Sequence, residues 1–164
     1  MDKRLYAPWR REYHLQSYSK CVFCDIKNSD FLDDNYIFYK DEICFFVMNK
    51  FPYNPGHFMI IPNKHTSNLE DLNQKEISHL GIMSQKGVQI LKKWGASGVN
   101  IGYNLGFDAG AGIPEHIHMQ LVPRFQRDTN FITTISNTRV YSADFDKIYN
   151  EIKQIAKQIL INKG

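Results

Sequence analysis

Two histidines and a glutamine recur at every second position in the segment His116-Ile117-His118-Met119-Gln120. Side chains alternate between the two faces of a β-strand, so His116, His118 and Gln120 are expected to share one face while Ile117 and Met119 point into the core. A neutral imidazole at pH 7 can attack a phosphorus atom directly and form a phosphoramidate. The segment therefore predicts phosphate chemistry on a rigid strand. Taken alone, a His-x-His pair is equally compatible with a half-exposed pair that has no function.

A glycine-rich turn, residues 106–114, precedes this segment. Small residues let backbone N–H groups approach an anionic ligand closely. We expect the N–H groups of Gly110, Ala111 and Gly112, together with the Gln120 amide, to meet the charge on transferring phosphoryl oxygens. Glutamine does not change protonation near neutral pH, so the predicted role of Gln120 is hydrogen bonding and orientation.

With this turn before it and Pro123-Arg124 after it, the His-x-His-x-Gln segment resembles the histidine-triad (HIT) superfamily, in the variant whose third histidine is glutamine. Residues 48–65 resemble the same superfamily and stand in the same order along the chain. The glutamine variant is similar to the transferase branches, which include dinucleoside polyphosphate phosphorylases and hexose-1-phosphate uridylyltransferases. The turn departs from the family pattern, because residues 111–114 read Ala-Gly-Ile-Pro in place of the usual Gly-Gln-Ser or Gly-Gln-Thr.

The resemblance implies roles for particular residues. His118, the central histidine, is expected to be the nucleophile that carries a covalent nucleotidyl group. Asn49 is expected to bond the ribose hydroxyls, and Asn104 to lie on the phosphate side. The predicted function is a nucleotidyltransferase that cleaves a dinucleoside polyphosphate, such as diadenosine tetraphosphate, with inorganic phosphate as acceptor.

Three alternatives to this function stay open. Water could be the acceptor, which would make the protein a hydrolase of dinucleoside polyphosphates or nucleoside phosphoramidates. Uridylyl transfer to a hexose phosphate is disfavoured by the short chain. A zinc-stabilised nucleotide-binding module without turnover is the alternative from another class.

Cysteine usage points to a reduced or metal-bound state. Cys21, Cys24 and Cys44 are an odd number in a chain without an export signal, which disfavours a disulfide framework. A Cys-x-x-Cys pair can be half of a tetrahedral zinc site, a redox pair or two buried reduced thiols. The family resemblance implies His65 and His116 as the further ligands, and structural Zn²⁺ is the predicted cofactor.

Composition restricts the class of protein. A length of 164 residues fits a single domain over 1–164, and 43% hydrophobic residues indicate a folded core. The chain contains no long apolar run, and its first residues do not form an apolar signal core, so we expect a cytoplasmic protein without membrane contact. A net charge of +3 gives no strong case for a nucleic-acid polymer but permits a nucleotide. The resemblance implies a homodimer through the long helix and an adjoining strand.

The coarse pattern predicts an α+β, HIT-like fold. Two capping-box patterns, Ser67 with Glu70 and Asn73 with Glu76, precede a long helical stripe that ends before Gly95. Apolar residues at helical spacing predict a second helix within 142–164, and residues 1–20 form an N-terminal arm. Phe45, Phe46 and Phe51 fit either the core or a base pocket and are not included in the predicted site. A mainly antiparallel sheet of about five strands is predicted over residues 35–40, 43–48, 57–62, 99–103 and 117–122.

Overall fold

The computed structural model describes residues 21–30, 32–126, 128, 131–136 and 144–161, so the predicted N-terminal arm lies outside the described residues. Within them, one five-stranded sheet has the order β1-β2-β3-β5-β4, and each neighbouring pair is antiparallel. The predicted α+β class and antiparallel sheet are confirmed. The strands are β1 (Ile37–Lys40), β2 (Cys44–Met48), β3 (Phe58–Pro62), β4 (Gly98–Tyr103) and β5 (Met119–Arg124).

Helices flank the sheet unequally. The long helix α2 (Gln74–Trp94) and the C-terminal helix α4 (Phe145–Leu160) pack together and cover one face of the sheet. Across the described ranges, no helix is long and apolar enough to cross a membrane. The α-helices are α1 (Val22–Lys27), α2 (Gln74–Trp94), α3 (Phe131–Ser136) and α4 (Phe145–Leu160).

Capping residues set both ends of α2. The side-chain oxygen of Asn73 accepts a hydrogen bond from the Glu76 amide at 3.0 Å, and the Glu76 carboxylate accepts one from the Asn73 amide at 2.8 Å. After the last turn, Gly95 adopts the left-handed conformation with φ of +118°. The second predicted capping box and the glycine end are therefore confirmed.

The first predicted capping box, Ser67 with Glu70, is wrong. The Ser67 hydroxyl donates to the Asn68 side chain, and residues 69–71 form only a short 3-10 turn without a side-chain cap. The Asp71 carboxylate instead accepts hydrogen bonds from the Thr66 hydroxyl at 2.6 Å and from the side-chain Nδ2 of Asn68 at 3.1 Å. These bonds hold the segment as a compact loop, and α2 begins only after Asn73.

The two faces of the sheet carry different cores. The face under α2 and α4 holds the larger cluster, which includes Phe46, Met119 and Leu121. A smaller cluster lies on the opposite face and includes Phe45 and Phe23 of α1. Phe45 and Phe46 are both fully buried, so they belong to the core. Helix α1 covers part of this second face through Phe23.

Strand β5 begins at Met119, two residues later than predicted. The preceding Ile117 amide donates to the Thr66 carbonyl at 2.7 Å, beyond the end of β3. Pro62 closes β3 and has no N–H group to donate to a ladder. His116 and His118 therefore lie just before β5 and not inside a strand.

Candidate active site

A pocket of about 480 Å³ opens on the second face of the sheet. This volume lies in the range of small-ligand sites. One apolar wall comes from α1, through Val22, Phe23 and Ile26, and part of the floor comes from Val47 and Met59. Six polar residues also line the pocket: Asn35, Asn49, Lys50, Asn104, His118 and Gln120.

The ring of His118 is held in one tautomer. Its Nδ1 lies 2.9 Å from the His116 carbonyl oxygen, which can only accept a hydrogen bond, so Nδ1 must carry the proton. The lone pair is then on Nε2. His118 is only 7% exposed, and burial lowers its pKa, which favours the neutral ring. The ring centroid of Phe23 lies 5.3 Å from that of His118 and supports it from α1.

Alternation along β5 brings Gln120 into the pocket beside His118. Gln120 is paired in register with Met59 of β3, and both side chains line the pocket. Met119 and Leu121 point to the other face and join the larger core. The predicted division between polar and apolar faces is therefore present at His118 and Gln120.

His116 has a different environment from His118. Its Nε2 lies 2.9 Å from the Pro62 carbonyl oxygen, so Nε2 donates and the lone pair is on Nδ1. This Nδ1 lies 3.3 Å from Cys21 Sγ and 3.7 Å from Cys24 Sγ. His116 is fully buried, and burial lowers its pKa. Both properties suit a neutral imidazole ligand.

The four predicted zinc ligands come together in space. His65 Nδ1 lies 3.4 Å from Cys24 Sγ, and the four ligand atoms of Cys21, Cys24, His65 and His116 all lie within 4.8 Å of one another. Zn–S bonds of about 2.3 Å and Zn–N bonds of about 2.1 Å place sulfur and nitrogen about 3.6 Å apart in a tetrahedral site. The three sulfur–nitrogen distances of 3.3, 3.4 and 3.7 Å are close to this value, so the cluster could hold zinc.

The glycine-rich turn uses part of its own hydrogen-bonding capacity. The Gly110 amide donates to the Phe107 carbonyl at 2.9 Å, and the Ala111 amide donates to the Gly106 carbonyl at 3.3 Å. Of the three predicted amide donors, only that of Gly112 has no partner among the described residues, and Gly112 lines the pocket. The donor set of the turn is therefore smaller than predicted.

The two predicted asparagines both lie at the pocket. Asn104 donates from Nδ2 to the Gly110 carbonyl at 3.3 Å, which ties it to the turn. Asn49 follows β2, and its Oδ1 accepts from the Phe51 amide at 2.9 Å. Phe51 also lines the pocket, in contrast to the buried Phe45 and Phe46.

Sequence reasoning missed the wall that α1 contributes. Val22 and Phe23 lie between the two cysteines, and a metal bound to Cys21 and Cys24 would bring this helix to the histidine motif. The position of Val22 and Phe23 between the two predicted metal ligands could therefore have indicated this wall. Lys50 was also missed, although it directly follows Asn49.

The HIT domain family model matches residues 32–127, which include the whole sheet, α2 and the histidine motif. This range is more than half of the chain. The protein therefore belongs to the HIT domain family, as its motif indicates.

Relatives in sequence and structure agree with this membership. The AP-4-A phosphorylase of Mycobacterium tuberculosis is 38% identical over 136 residues, which cover 82% of this chain and 69% of the relative. An uncharacterised HIT-like protein of Methanocaldococcus jannaschii is 30% identical over 133 residues, which cover 81% of this chain and 98% of the relative. A crystal structure of a zinc-bound histidine triad family protein from Mycobacterium smegmatis superposes with a TM-score of 0.69 at 24% identity, over 85% and 94% of the two chains.

Proposed function

We propose that the protein cleaves dinucleoside polyphosphates, such as diadenosine tetraphosphate, by transferring a nucleotidyl group first to His118 and then to inorganic phosphate. The observation that carries the proposal is the His118 tautomer, because its Nδ1 is bound to a carbonyl and Nε2 keeps a lone pair at a nucleotide-sized pocket. The similarity to an AP-4-A phosphorylase supports the substrate class.

The proposed reaction has two displacement steps. Nε2 of His118 attacks the α-phosphorus, a P–N bond forms, and the P–O bond to the remaining polyphosphate breaks with its electron pair on the leaving oxygen. A phosphate oxygen then attacks the same phosphorus, and the P–N electron pair returns to Nε2. With diadenosine tetraphosphate the products are ATP from the first step and ADP from the second.

Two donors in the pocket suit the charge that develops on the transferring group. Gly112 and Gln120 both line the pocket, and the Gly112 N–H has no partner among the described residues. Donors held in place before the reaction stabilise a transition state without a reorganisation cost. Gln120 remains neutral and cannot act as an acid or a base, so capture by a bound phosphate is favoured over activation of water.

Product analysis tests both the reaction and the acceptor. The protein is incubated with diadenosine tetraphosphate with and without phosphate. ADP formed only when phosphate is present supports the proposal, whereas AMP and ATP formed regardless of phosphate would show a hydrolase. A His118→Ala variant is expected to abolish turnover and trapping of a covalent adduct. His79→Gln on α2 is the matched control because His79 lies outside the pocket lining.

We propose that Cys21, Cys24, His65 and His116 hold one structural Zn²⁺. When bound, the ion would contribute folding energy by joining α1 to the loop after β3 and to the histidine motif. Thiol ligands require a reducing compartment, which supports the cytoplasm as the location.

Metal analysis tests this ligand set. One zinc per chain is expected in the wild type, with a loss in Cys21→Ser and Cys24→Ser. Cys44→Ser is the control, since Cys44 lies in the core and not in this cluster. Unchanged zinc content in the Cys24 variant would rule out the ligand set.

We also propose a homodimer through β4 and α2. Strand β4 is an edge of the sheet, and Ile101 on it is 46% exposed. An exposed apolar edge strand favours pairing with another chain. Light scattering is expected to show a dimer for the wild type and a monomer for Ile101→Lys, while Ile161→Lys at the end of α4 remains dimeric. A dimeric Ile101→Lys variant would contradict the interface.

A further inference from the structure

The loop between β2 and β3 is closed by a buried histidine. The Asn49 amide donates to the His57 carbonyl at 3.0 Å, and the His57 amide donates to the Asn54 carbonyl at 3.0 Å. The His57 side chain is fully buried, and the Tyr53 ring stacks on it with centroids 5.1 Å apart and planes inclined by 14°. His57 does not line the pocket, whereas Asn49 does.

The proton on the His57 ring can be located from its neighbours. The Tyr53 backbone N–H donates to His57 Nδ1 at 3.2 Å, and a backbone N–H can only donate. Nδ1 must therefore accept, and the proton of the neutral ring is on Nε2. His57 thus presents a hydrogen-bond acceptor towards the beginning of the loop.

The orientation of the Asn49 carboxamide follows from two independent contacts. The Phe51 amide donates to Asn49 Oδ1 at 2.9 Å, which identifies the oxygen end. The nitrogen end, Nδ2, lies 3.4 Å from His57 Nδ1 and can donate to it by sharing the single lone pair of that nitrogen with the Tyr53 N–H. A flipped amide would place two donors against each other at Phe51 and two acceptors against each other at His57.

This arrangement leaves a paired donor and acceptor for a ligand. Among the described residues, one Nδ2–H and one Oδ1 lone pair of Asn49 are not used by His57 and Phe51. We infer that His57 is a positioning residue, which fixes the Asn49 carboxamide so that it can pair with both hydroxyls of a ribose. Each hydroxyl of a vicinal diol can donate and accept, which matches such a pair. The inference rests on the proposed function, since it takes the ligand to be a ribonucleotide.

The test compares preferences for sugars. Binding of AMP, 2′-deoxyAMP and 3′-deoxyAMP to the full chain is measured by calorimetry for the wild type, His57→Leu and His57→Asn. Leucine fills similar space without an acceptor, whereas the Oδ1 of asparagine can occupy the position of the histidine Nδ1. The wild type and His57→Asn are expected to prefer AMP over either deoxy form by about tenfold, the order of one hydrogen bond, and His57→Leu to lose that preference.

The ratio of the affinity for AMP to the affinity for each deoxy form distinguishes a positioning role of His57 from a purely structural one. A loss of packing alone would weaken all three ligands equally and leave the AMP preference intact, so a preserved ratio in His57→Leu would overturn the inference. Asn49→Ala is expected to lose the preference as well, and the Asn49→Ala/His57→Leu double variant to lose no more than either single variant. Absence of AMP binding by the wild type would overturn the proposed function and this inference with it.

A measurement on the unmodified protein covers the case in which His57→Leu does not fold. Nitrogen-15 chemical shifts of the imidazole distinguish the two neutral tautomers. The shifts of His57 are expected to show the proton on Nε2, and a proton on Nδ1 would overturn the inference directly.

Discussion

Replacing Gly87 with alanine is expected to destabilise the protein, because Gly87 of α2 lies directly against Leu121 of β5. A Cβ atom at Gly87 would lie 2.5 Å from Leu121 Cδ2 and 3.4 Å from Phe58 Cζ. Both neighbours are fully buried in the larger core. Neither side chain can move away without displacing other core atoms.

The magnitude is set by two opposing effects. Alanine is favoured over glycine inside a helix by about 1 kcal/mol. Overpacking a well-packed core costs about 1–3 kcal/mol, and a contact at 2.5 Å, far below the optimal carbon separation of about 3.5–4.0 Å, points to the upper end. The net loss for Gly87→Ala is therefore about 2 kcal/mol.

Gly81 on the same helix supplies the matched control. A Cβ atom there would meet nothing within 4 Å, so Gly81→Ala is expected to gain about 0.5–1 kcal/mol. Urea denaturation measures both variants, with the midpoint falling for Gly87→Ala, rising for Gly81→Ala and the slope unchanged. Equal stability of the two variants would refute the reasoning, since it would mean that α2 does not pack against Leu121 as the structure has it.

Three further predictions concern polar contacts. A chelator is expected to lower the melting temperature of the wild type but not of Cys24→Ser, because the variant lacks a full ligand set. Scanning fluorimetry measures both melting temperatures, and an equal shift in the two proteins would contradict the prediction. Burial alone would raise the pKa of Asp41, but hydrogen bonds from two backbone amides and from His79 outweigh it and hold the pKa below its ordinary value of 3.8. The stabilisation by the ionised Asp41 is present above that value and is lost as the pH falls below it. Asp41→Asn should therefore lose less of its urea midpoint than the wild type between about pH 5 and about pH 2. An equal dependence of the urea midpoint on pH in both proteins would disprove the contribution. Tyr149→Phe is expected to cost about 1 kcal/mol in urea denaturation, because the hydroxyl donates to the Asp33 carboxylate at 2.6 Å; no change would show that this bond contributes nothing.

The five strands, α2 and the C-terminal helix could be predicted from local sequence patterns, whereas α1 and α3 were not predicted. Short runs of β-favouring and apolar residues predicted the strands, and the Asn73–Glu76 capping box and Gly95 predicted the ends of α2. Each of these patterns involves residues only a few positions apart, so it can be recognised without knowing how distant parts of the chain pack. The first capping box was wrong because the Asp71 carboxylate instead accepts hydrogen bonds from the side chains of Thr66 and Asn68, which hold this segment as a loop.

The chain alone also determined which residue types could handle phosphate or bind metal. The family resemblance implied separate uses for His116 and His118, but only the tertiary structure brings Cys24 to His65 and both cysteines to His116. It turned His116 to the cysteines and His118 to the pocket although both belong to one motif. The two rings differ because each donates its N–H to a different backbone carbonyl. His116 Nε2 donates to the carbonyl of Pro62, and His118 Nδ1 donates to the carbonyl of His116. Pro62 belongs to β3, so its carbonyl reaches His116 only once the chain has folded.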